Sequence, residues 1–165
     1  QNVSSGGRVV SATVNSGGTQ TLFDGAVSDN TIVNNSGVQN ISSGAVANNT
    51  TLNSGGTQRV SAGGTASGTI INISGSQSIM SGGSAVGAVV NGGVQTVANG
   101  GNTLNTVVSS GGFQRVSAGG TATATTVTNA GFQNVSSGGR VVSATVNSGG
   151  TQTLFDGAVS DNTIV

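Results

Sequence analysis

The chain has 165 residues and no net charge, with four arginines, four aspartates and no lysine, glutamate, histidine, cysteine, proline, tryptophan or tyrosine. So few cations, with four phenylalanines as the only aromatic residues, exclude a nucleic-acid interface, which needs basic groups for phosphates and rings for bases. No apolar run reaches the roughly 18 residues of a membrane span, and without cysteine there is neither a disulfide nor a zinc-thiolate site.

A repeat of 19 residues organises the whole chain. Glutamine recurs at regular intervals, of which seven are 19 residues and one is 18, at positions 1, 20, 39, 58, 77, 95, 114, 133 and 152. The first 33 residues also recur unchanged as residues 133–165, seven repeats later. The same segment can fold at two positions of one structure only if both positions offer the same neighbours. The pattern therefore predicts a stack of like units.

Each unit reads as short strands joined by turns. An aliphatic residue stands two and thirteen places after every glutamine, alanine or threonine stands eleven places after it, and mostly small residues stand eight places after it. A glycine five places after every glutamine, and usually a glycine pair before the next one, predict two bends in each unit. The stretches between them alternate apolar with polar and are rich in valine, isoleucine and threonine, which favours strands over helices.

Stacking is required because one unit cannot fold alone. Ordering 19 residues costs on the order of 28 kcal/mol, whereas burying two aliphatic side chains returns about 3 to 6. The predicted fold class is therefore all-β, a parallel β-helix (β-solenoid) of 19-residue coils. Residues 1–165 are expected to form a single β-helix fragment of about nine coils, about 40 Å long at roughly 4.8 Å per coil, cut inside a repeat at both ends.

Two polar columns are predicted to form side-chain ladders along the stack. One is the glutamine that heads each unit. The other is an asparagine one place after the second aliphatic column, at Asn15, Asn34, Asn53, Asn72, Asn91 and Asn147. Neither is expected to contact a ligand.

Acid–base or nucleophilic chemistry would have to use Asp24, Asp29 and their copies Asp156 and Asp161. Paired carboxylates serve in glycan cleavage, so a β-helical polysaccharide-cleaving enzyme is one alternative. Calcium-binding solenoids carry an acid in every repeat, whereas here the acids stand only in the duplicated one. The sequence predicts no enzyme, no cofactor and no metal site, with an unmodified structural solenoid as a further alternative.

Serines beside the glycine corners are the stronger functional signal. They occur in segments such as NSGG at 53–56 and SSGG at 109–112. A short hydroxyl on a bare glycine turn is sterically open, and stacking would place successive hydroxyls about 4.8 Å apart. A modifying enzyme could address such a ridge repeatedly. The other interpretation is that these hydroxyls satisfy hydrogen bonds of the turns.

The units GGTQRVSAGGTASGTIIN at 55–72 and GGFQRVSAGGTATATTVTN at 111–129 resemble the 19-residue repeats of AIDA-type self-associating autotransporter adhesins, and among these the glycosylated TibA-like passengers. The resemblance covers essentially the whole chain. It implies a right-handed, three-sided β-helix displayed on the surface of a Gram-negative bacterium, with the signal peptide and outer-membrane barrel outside this chain. It also implies adhesion to host cells, autoaggregation through homotypic contacts, biofilm formation, and O-heptosylation of passenger serines in the cytoplasm by a partner heptosyltransferase.

Carried onto this chain, the resemblance makes the corner serines the heptose acceptors: Ser4, Ser5, Ser16, Ser42, Ser43, Ser54, Ser61, Ser81, Ser110, Ser117, Ser136, Ser137 and Ser148. Asp24, Asn99 and Ala130 replace serine at three corners, which therefore accept no sugar there. The polar residues proposed for self-association are Asp24, Asp29, Asn30, Asn48 and Asn49. The fragment is expected neither to bind nucleic acid nor to insert into a membrane.

Overall fold

The computed structural model describes residues 1–4 and 6–165 as three parallel sheets wound into one solenoid. Sheet A contains β1 (Asn2–Val3), β4 (Thr19–Leu22), β7 (Val38–Ile41), β10 (Thr57–Val60), β13 (Ser76–Ile79), β16 (Val94–Val97), β19 (Phe113–Val116), β22 (Phe132–Val135) and β25 (Thr151–Leu154). Sheet B contains β2 (Arg8–Val10), β5 (Val27–Asp29), β8 (Val46–Asn48), β11 (Thr65–Ser67), β14 (Ser84–Val86), β17 (Asn102–Leu104), β20 (Thr121–Thr123), β23 (Arg140–Val142) and β26 (Val159–Asp161). Sheet C contains β3 (Thr13–Val14), β6 (Ile32–Val33), β9 (Thr51–Leu52), β12 (Ile70–Ile71), β15 (Val89–Asn91), β18 (Val107–Ser109), β21 (Thr126–Val127) and β24 (Thr145–Val146).

Each coil contributes one strand to each sheet, and every strand pairs in parallel with its counterpart in the next coil. We number the coils 1 to 9 by their leading glutamines. Gln58, for example, pairs with Gln39 on one side and Gln77 on the other. The 18-residue coil 5 keeps the register, since Gln77 still pairs with Gln95. The predicted fold class, an all-strand parallel solenoid with coils of about 19 residues, is confirmed.

The interior is filled by the columns that the repeat predicted. Both aliphatic columns are buried along most of the rod, including Leu22 and Ile41 inside sheet A and Leu52 and Ile71 inside sheet C; at the C-terminal end Val146 is half-buried, and Leu154 and Val165 are exposed. The small residues eight places after glutamine, such as Ala66, lie inside sheet B. Because each aliphatic residue stacks on its equivalent in the next coil, the core is continuous along the rod, and stacking supplies the burial that a single coil lacks.

The glutamine column forms the predicted ladder, and it lies inside the core. From Gln20 to Gln133 these side chains are fully buried, and each Nε2 donates to the Oε1 of the preceding glutamine, as from Gln58 to Gln39 at 2.7 Å. Threonine hydroxyls of the adjacent buried column donate to the same oxygens, for example Thr69 to Gln58 at 3.1 Å. Among the described residues no buried side-chain polar atom lacks a partner, so this polar core avoids the penalty of unmade hydrogen bonds.

The solenoid has three corners per coil, and the prediction of two bends from glycine was incomplete. Corner 1 joins sheet A to sheet B and corner 3 joins sheet C to the next strand of sheet A, both as turns containing glycine. Corner 2 joins sheet B to sheet C through one residue of positive φ, such as Asn49 at 53° or Ala124 at 54°. Asparagine and serine tolerate this conformation without glycine, which is why a search for glycine missed it. No helix in the described residues is long and apolar enough to cross a membrane.

Candidate functional site

Corners 1 and 3 are four-residue turns that expose their second position. In corner 1 the amide of the fourth residue donates to the carbonyl of the first, as from Ala45 to Ser42 at 3.0 Å. Corner 3 repeats this bond, as from Gly56 to Asn53 at 2.8 Å. Because the first and fourth residues are tied together, the second residue points away from the rod and stacks above its equivalent in the next coil.

The predicted acceptor serines fall into two groups by turn position. The second-position serines are all exposed: Ser43, Ser81 and Ser137 at corner 1, and Ser16, Ser54, Ser110 and Ser148 at corner 3. The first-position serines lie at corner 1, where Ser136 is exposed and the others are half-buried: Ser4, Ser42, Ser61 and Ser117. Ser5 lies outside the described residues. The turn thus separates neighbouring serines that the sequence treats alike.

Two of the exposed hydroxyls lie beside a bare turn of the next coil. A Cβ atom placed on Gly100 would come 2.9 Å from Ser81 Oγ, and one on Gly157 would come 2.8 Å from Ser137 Oγ. Both glycines also have positive φ, at 72° and 77°. The missing side chain therefore leaves space next to the hydroxyl, which a substituent on the serine would occupy.

Four of the five residues predicted for self-association lie together on sheet B and corner 2 of coils 2 and 3. Asn48 Nδ2 donates to Asp29 Oδ1 at 2.8 Å, and Asn49 Nδ2 donates to Asn30 Oδ1 at 3.4 Å. Asp24 lies apart from them, exposed at corner 1 with a φ of 52°. The four form an outward polar cluster, and Asp24 belongs to a different edge of the rod.

Asp29 is held by two partners. Besides the amide of Asn48, the guanidinium of Arg8 in coil 1 donates to its Oδ2 at 2.8 Å. The hydrogen bond from Asn48, followed by that from Arg8, lowers the pKa of Asp29 below the usual aspartate value. A carboxylate whose two oxygens already accept hydrogen bonds, and whose pKa is lowered by them, is poorly suited to proton transfer. The duplicated block repeats the ion pair between Arg140 and Asp161, at 2.7 Å.

The asparagine ladder forms over the first four coils. Asn34 donates to Asn15 and Asn53 donates to Asn34, both at 2.9 Å, and Asn72 donates to Asn53 at 3.1 Å. Beyond Asn91 the column holds Ser109 and Thr128 before asparagine returns at Asn147. The predicted ladder is confirmed for this part of the rod.

An aromatic pair on sheet A escaped the sequence reasoning. The rings of Phe113 and Phe132 stack with centroids 4.9 Å apart, and the guanidinium of Arg115 lies 5.5 Å from the Phe113 centroid. The equal spacing of these residues from successive glutamines would have revealed the stack. Over residues 1–4 and 6–165 the surface contains no pocket and no group of acids that would hold a metal ion.

Comparison with known proteins gives one family match and one similar solved structure. Two overlapping segments, residues 22–75 and 40–94, match the family described as "adhesin of bacterial autotransporter system, probable stalk". A solved structure, a TibC-catalysed hyper-glycosylated TibA fragment, is similar over 98% of this chain with 37% identity and a TM-score of 0.89. The chain is thus similar to the AIDA-type autotransporter adhesins and to a TibA passenger fragment. A search of curated protein sequences gives no significant match.

The chain spans 64% of the length of the TibA fragment that it matches. The likeness extends over nearly all of the coils described above, so the corner turns belong to the shared architecture. The predicted resemblance to AIDA-type, TibA-like passengers is confirmed.

Proposed function

We propose that this chain is one segment of a longer passenger on the surface of a Gram-negative bacterium. Its role is to mediate cell adhesion and autoaggregation, and its corner serines accept heptose from a partner heptosyltransferase in the cytoplasm before export. The observation that carries the proposal is the exposed second-position serine of the corner turns, repeated along a rod whose family is adhesive. The glycosylation of the similar TibA fragment by TibC supports it.

Turn position gives the acceptor rule. A sugar on an exposed second-position hydroxyl projects into solvent or over a neighbouring glycine, as at Ser81 and Gly100. A sugar on a half-buried first-position hydroxyl such as Ser42 meets the edge of the sheet when the coil closes. We therefore expect Ser16, Ser43, Ser54, Ser81, Ser110, Ser137 and Ser148 to carry heptose in the folded rod, with Ser4, Ser42, Ser61, Ser117 and Ser136 as weaker acceptors. Ser5, the sequence counterpart of Ser137 in the duplicated block, stays a proposed acceptor.

The test is the intact mass of the chain produced with and without the heptosyltransferase, followed by mapping of the modified peptides. A series of added heptose masses is expected only with the enzyme. Ser42 and Ser43 form a matched pair in one corner, so Ser43→Ala should remove one heptose and Ser42→Ala none. Equal losses would refute the turn-position rule, and one unmodified mass from both preparations would leave an unmodified structural solenoid.

Adhesion is proposed to use the outward polar residues Asp24, Asp29, Asn30, Asn48 and Asn49, either between copies or against a host cell surface. Bacteria displaying the passenger are expected to aggregate, whereas bacteria displaying only its membrane anchor are not. Equal settling of the two strains would contradict the adhesive function.

A catalytic role is disfavoured by the state of the acidic residues. The carboxylate of Asp29 accepts hydrogen bonds from Arg8 and Asn48. Asp24 lies apart from it at corner 1, whereas Asp29 ends a strand of sheet B beside corner 2. We propose that the chain is not an enzyme. If Asp24→Asn and Asp29→Asn together abolished a polysaccharide cleavage observed with the unaltered chain, this proposal would be wrong.

A further inference from the structure

The outer column of sheet C carries no charge. Its members pair from coil to coil and are all β-branched: Thr13, Ile32, Thr51, Ile70, Val89, Val107, Thr126 and Thr145. Every charged side chain of the described residues belongs instead to sheet A, corner 1 or sheet B. Sheet C is therefore the one side of the described rod that offers neither attraction nor repulsion to a charged partner.

Apolar side chains concentrate at the middle of this side. We define the mid-rod patch as Ile70, Val89 and Val107 of sheet C, Ile73 of corner 3, and Val86 and Leu104 at the end of sheet B beside corner 2, from coils 4 to 6. All except the half-buried Val86 are between 37% and 70% exposed. Side chains of this size together expose a few hundred Å², the extent at which an apolar patch on a monomer marks an interaction site.

The polar corners are interrupted where the patch lies. At corner 2, coils 4 and 5 have Gly68 and Gly87, both of positive φ, in place of the asparagines of coils 2 and 3. At corner 3, Ile73 replaces the serine of coil 3, and its side chain lies against the shortened turn of coil 5 at Gly92. The asparagine ladder also ends at Asn72. The edges of the patch are consequently low, and corners 2 and 3 of coils 4 and 5 carry no predicted sugar acceptor; the predicted acceptors of these coils, Ser61 and Ser81, lie at corner 1.

We propose that the mid-rod patch is the surface through which two copies of this chain associate, packed antiparallel about a two-fold axis at Val89. The inference rests on the proposed adhesive function and names the partner and the surface. For two coils in both directions from Val89 the outer column carries like residues, so that Ile70 faces Val107 of the second copy and Thr51 faces Thr126; one coil further out, Ile32 faces Thr145. A two-fold interface requires such self-complementarity.

The absence of charge favours a second copy over a charged partner. Two like faces bearing net charge would repel each other, whereas two faces of isoleucine, valine and threonine bury apolar surface without leaving a charge unpaired. The cluster of Asp29, Asn30, Asn48 and Asn49 lies at one end of the patch, along the same corner 2. It provides a polar rim of the kind that surrounds apolar interface centres.

The area of the sheet C face determines the expected affinity between two copies. Eight coils at about 4.8 Å give a length of about 38 Å, and a width of four to five residues gives about 15 Å. Two such faces bury about 1,200 Å² in total, at the lower limit for specific interfaces. The dimer of isolated chains should therefore be weak, with micromolar affinity, and many copies displayed on two cells would act together through multivalency.

Sedimentation equilibrium of the purified, unglycosylated chain tests the proposal. The variant Ile70→Thr/Val89→Thr/Val107→Thr places in coils 4 to 6 the threonine that coils 3 and 7 already have in this column, so the fold should be kept. We expect it to raise the dimer dissociation constant about tenfold or more, because it removes apolar surface from the centre of the interface. The control variant Val38→Thr/Val46→Thr/Val94→Thr changes outward valines of sheets A and B and should leave the constant unchanged.

Disulfide trapping tests the two-fold axis directly, since the chain has no cysteine of its own. Val89→Cys should give a covalent dimer under mild oxidation, whereas Val46→Cys on sheet B should not. The proposal is overturned if the unaltered chain is monomeric up to about 1 mM, if the threonine variant dimerises as the unaltered chain does, or if both cysteine variants cross-link equally.

Cell aggregation separates this inference from the proposed function. If the threonine variant and the unaltered passenger, each displayed on bacteria, aggregate the cells equally, the patch assignment fails and the adhesive function stands. If neither aggregates cells although the purified chain dimerises through the patch, the adhesive function fails and the patch assignment stands. A third outcome is that the unaltered chain is monomeric and the threonine variant no longer binds host cells. The patch would then be a surface for a host receptor, and the assignment to association between copies would be wrong.

Discussion

The buried glutamine ladder makes a sharp prediction, because neighbouring coils differ in one partner. Gln58 Oε1 accepts from Gln77 at 2.6 Å and from the Thr69 hydroxyl at 3.1 Å. Gln77 Oε1 accepts from Gln95 at 2.7 Å, and the equivalent of Thr69 in that coil is Ala88. Replacing each glutamine by leucine, which is similar in size and apolar, therefore leaves different numbers of donors without an acceptor.

Gln58→Leu leaves two buried donors unpaired, the Gln77 amide and the Thr69 hydroxyl. Gln77→Leu leaves one, the Gln95 amide. At about 1 to 3 kcal/mol for each unpaired group, Gln58→Leu should lower the free energy of unfolding by about 2 to 6 kcal/mol and Gln77→Leu by about half as much. Both sites lie in interior coils, so the ends of the rod affect them equally.

Urea denaturation followed by circular dichroism measures the two free energies, and each kcal/mol should shift the melting temperature by about 2 to 4 °C. Adding Thr69→Ala to Gln58→Leu should cost less than adding it to the unaltered chain, because the hydroxyl has already lost its acceptor. Equal destabilisation by Gln58→Leu and Gln77→Leu, together with additive effects of Thr69→Ala, would refute the account of the polar core.

Two further predictions concern corner geometry and pH. Gly83→Ala should lower the free energy of unfolding by more than about 2 kcal/mol, because the added Cβ would run into the carbonyl oxygen of Val60. Gly87→Ala should lower it by only about 1 kcal/mol, because the space around Gly87 is open and only its φ of 64° is unfavourable for alanine. Thermal denaturation should show the lower melting temperature for Gly83→Ala. The pKa of Asp29 lies below the usual aspartate value because of Asn48 and then Arg8, so its contribution to stability is present above the usual value and is lost as the pH falls through the lowered one. Carbon NMR titration should show a larger upward shift of this pKa in Asn48→Ala than in Arg8→Gln, and the reverse order would contradict the assignment.

Periodicity predicted the fold because the repeat places each residue type in one environment. The aliphatic columns, the corner glycines and the register across the 18-residue coil all followed from counting intervals between glutamines. Glutamine itself was recognised as a ladder residue, but its burial was not foreseen, since a carboxamide is usually exposed. The column of alanine and threonine eleven places after each glutamine could have indicated this burial, because the threonine hydroxyls donate to the glutamine Oε1 inside the core.

The candidate site was less predictable because it depends on turn position. Ser42 and Ser43 are adjacent in sequence and equally close to Gly44, and only the folded corner makes one half-buried and the other exposed. Corner 2 gave no glycine signal, since asparagine, serine or alanine adopts positive φ there in most coils. The polar cluster around Asp29 could be placed on one side of the rod only once three corners were known.

Departures from the repeat are themselves informative. Coils 4 to 6 keep every core position, with Ile71, Val90 and Val108 fully buried in one unbroken column, so the missing residue of coil 5 and the unusual Ile73 alter only the outside. A change that leaves the core columns intact costs little folding free energy, and local irregularities in an otherwise consistent sequence tend to mark functional surfaces. The same reasoning explains how the rod accommodates two identical blocks, because coils 1 and 8 present the same residues to the coil that follows them. Regular positions therefore specify the scaffold, and the outward irregular positions of the middle coils are where specificity between copies would arise.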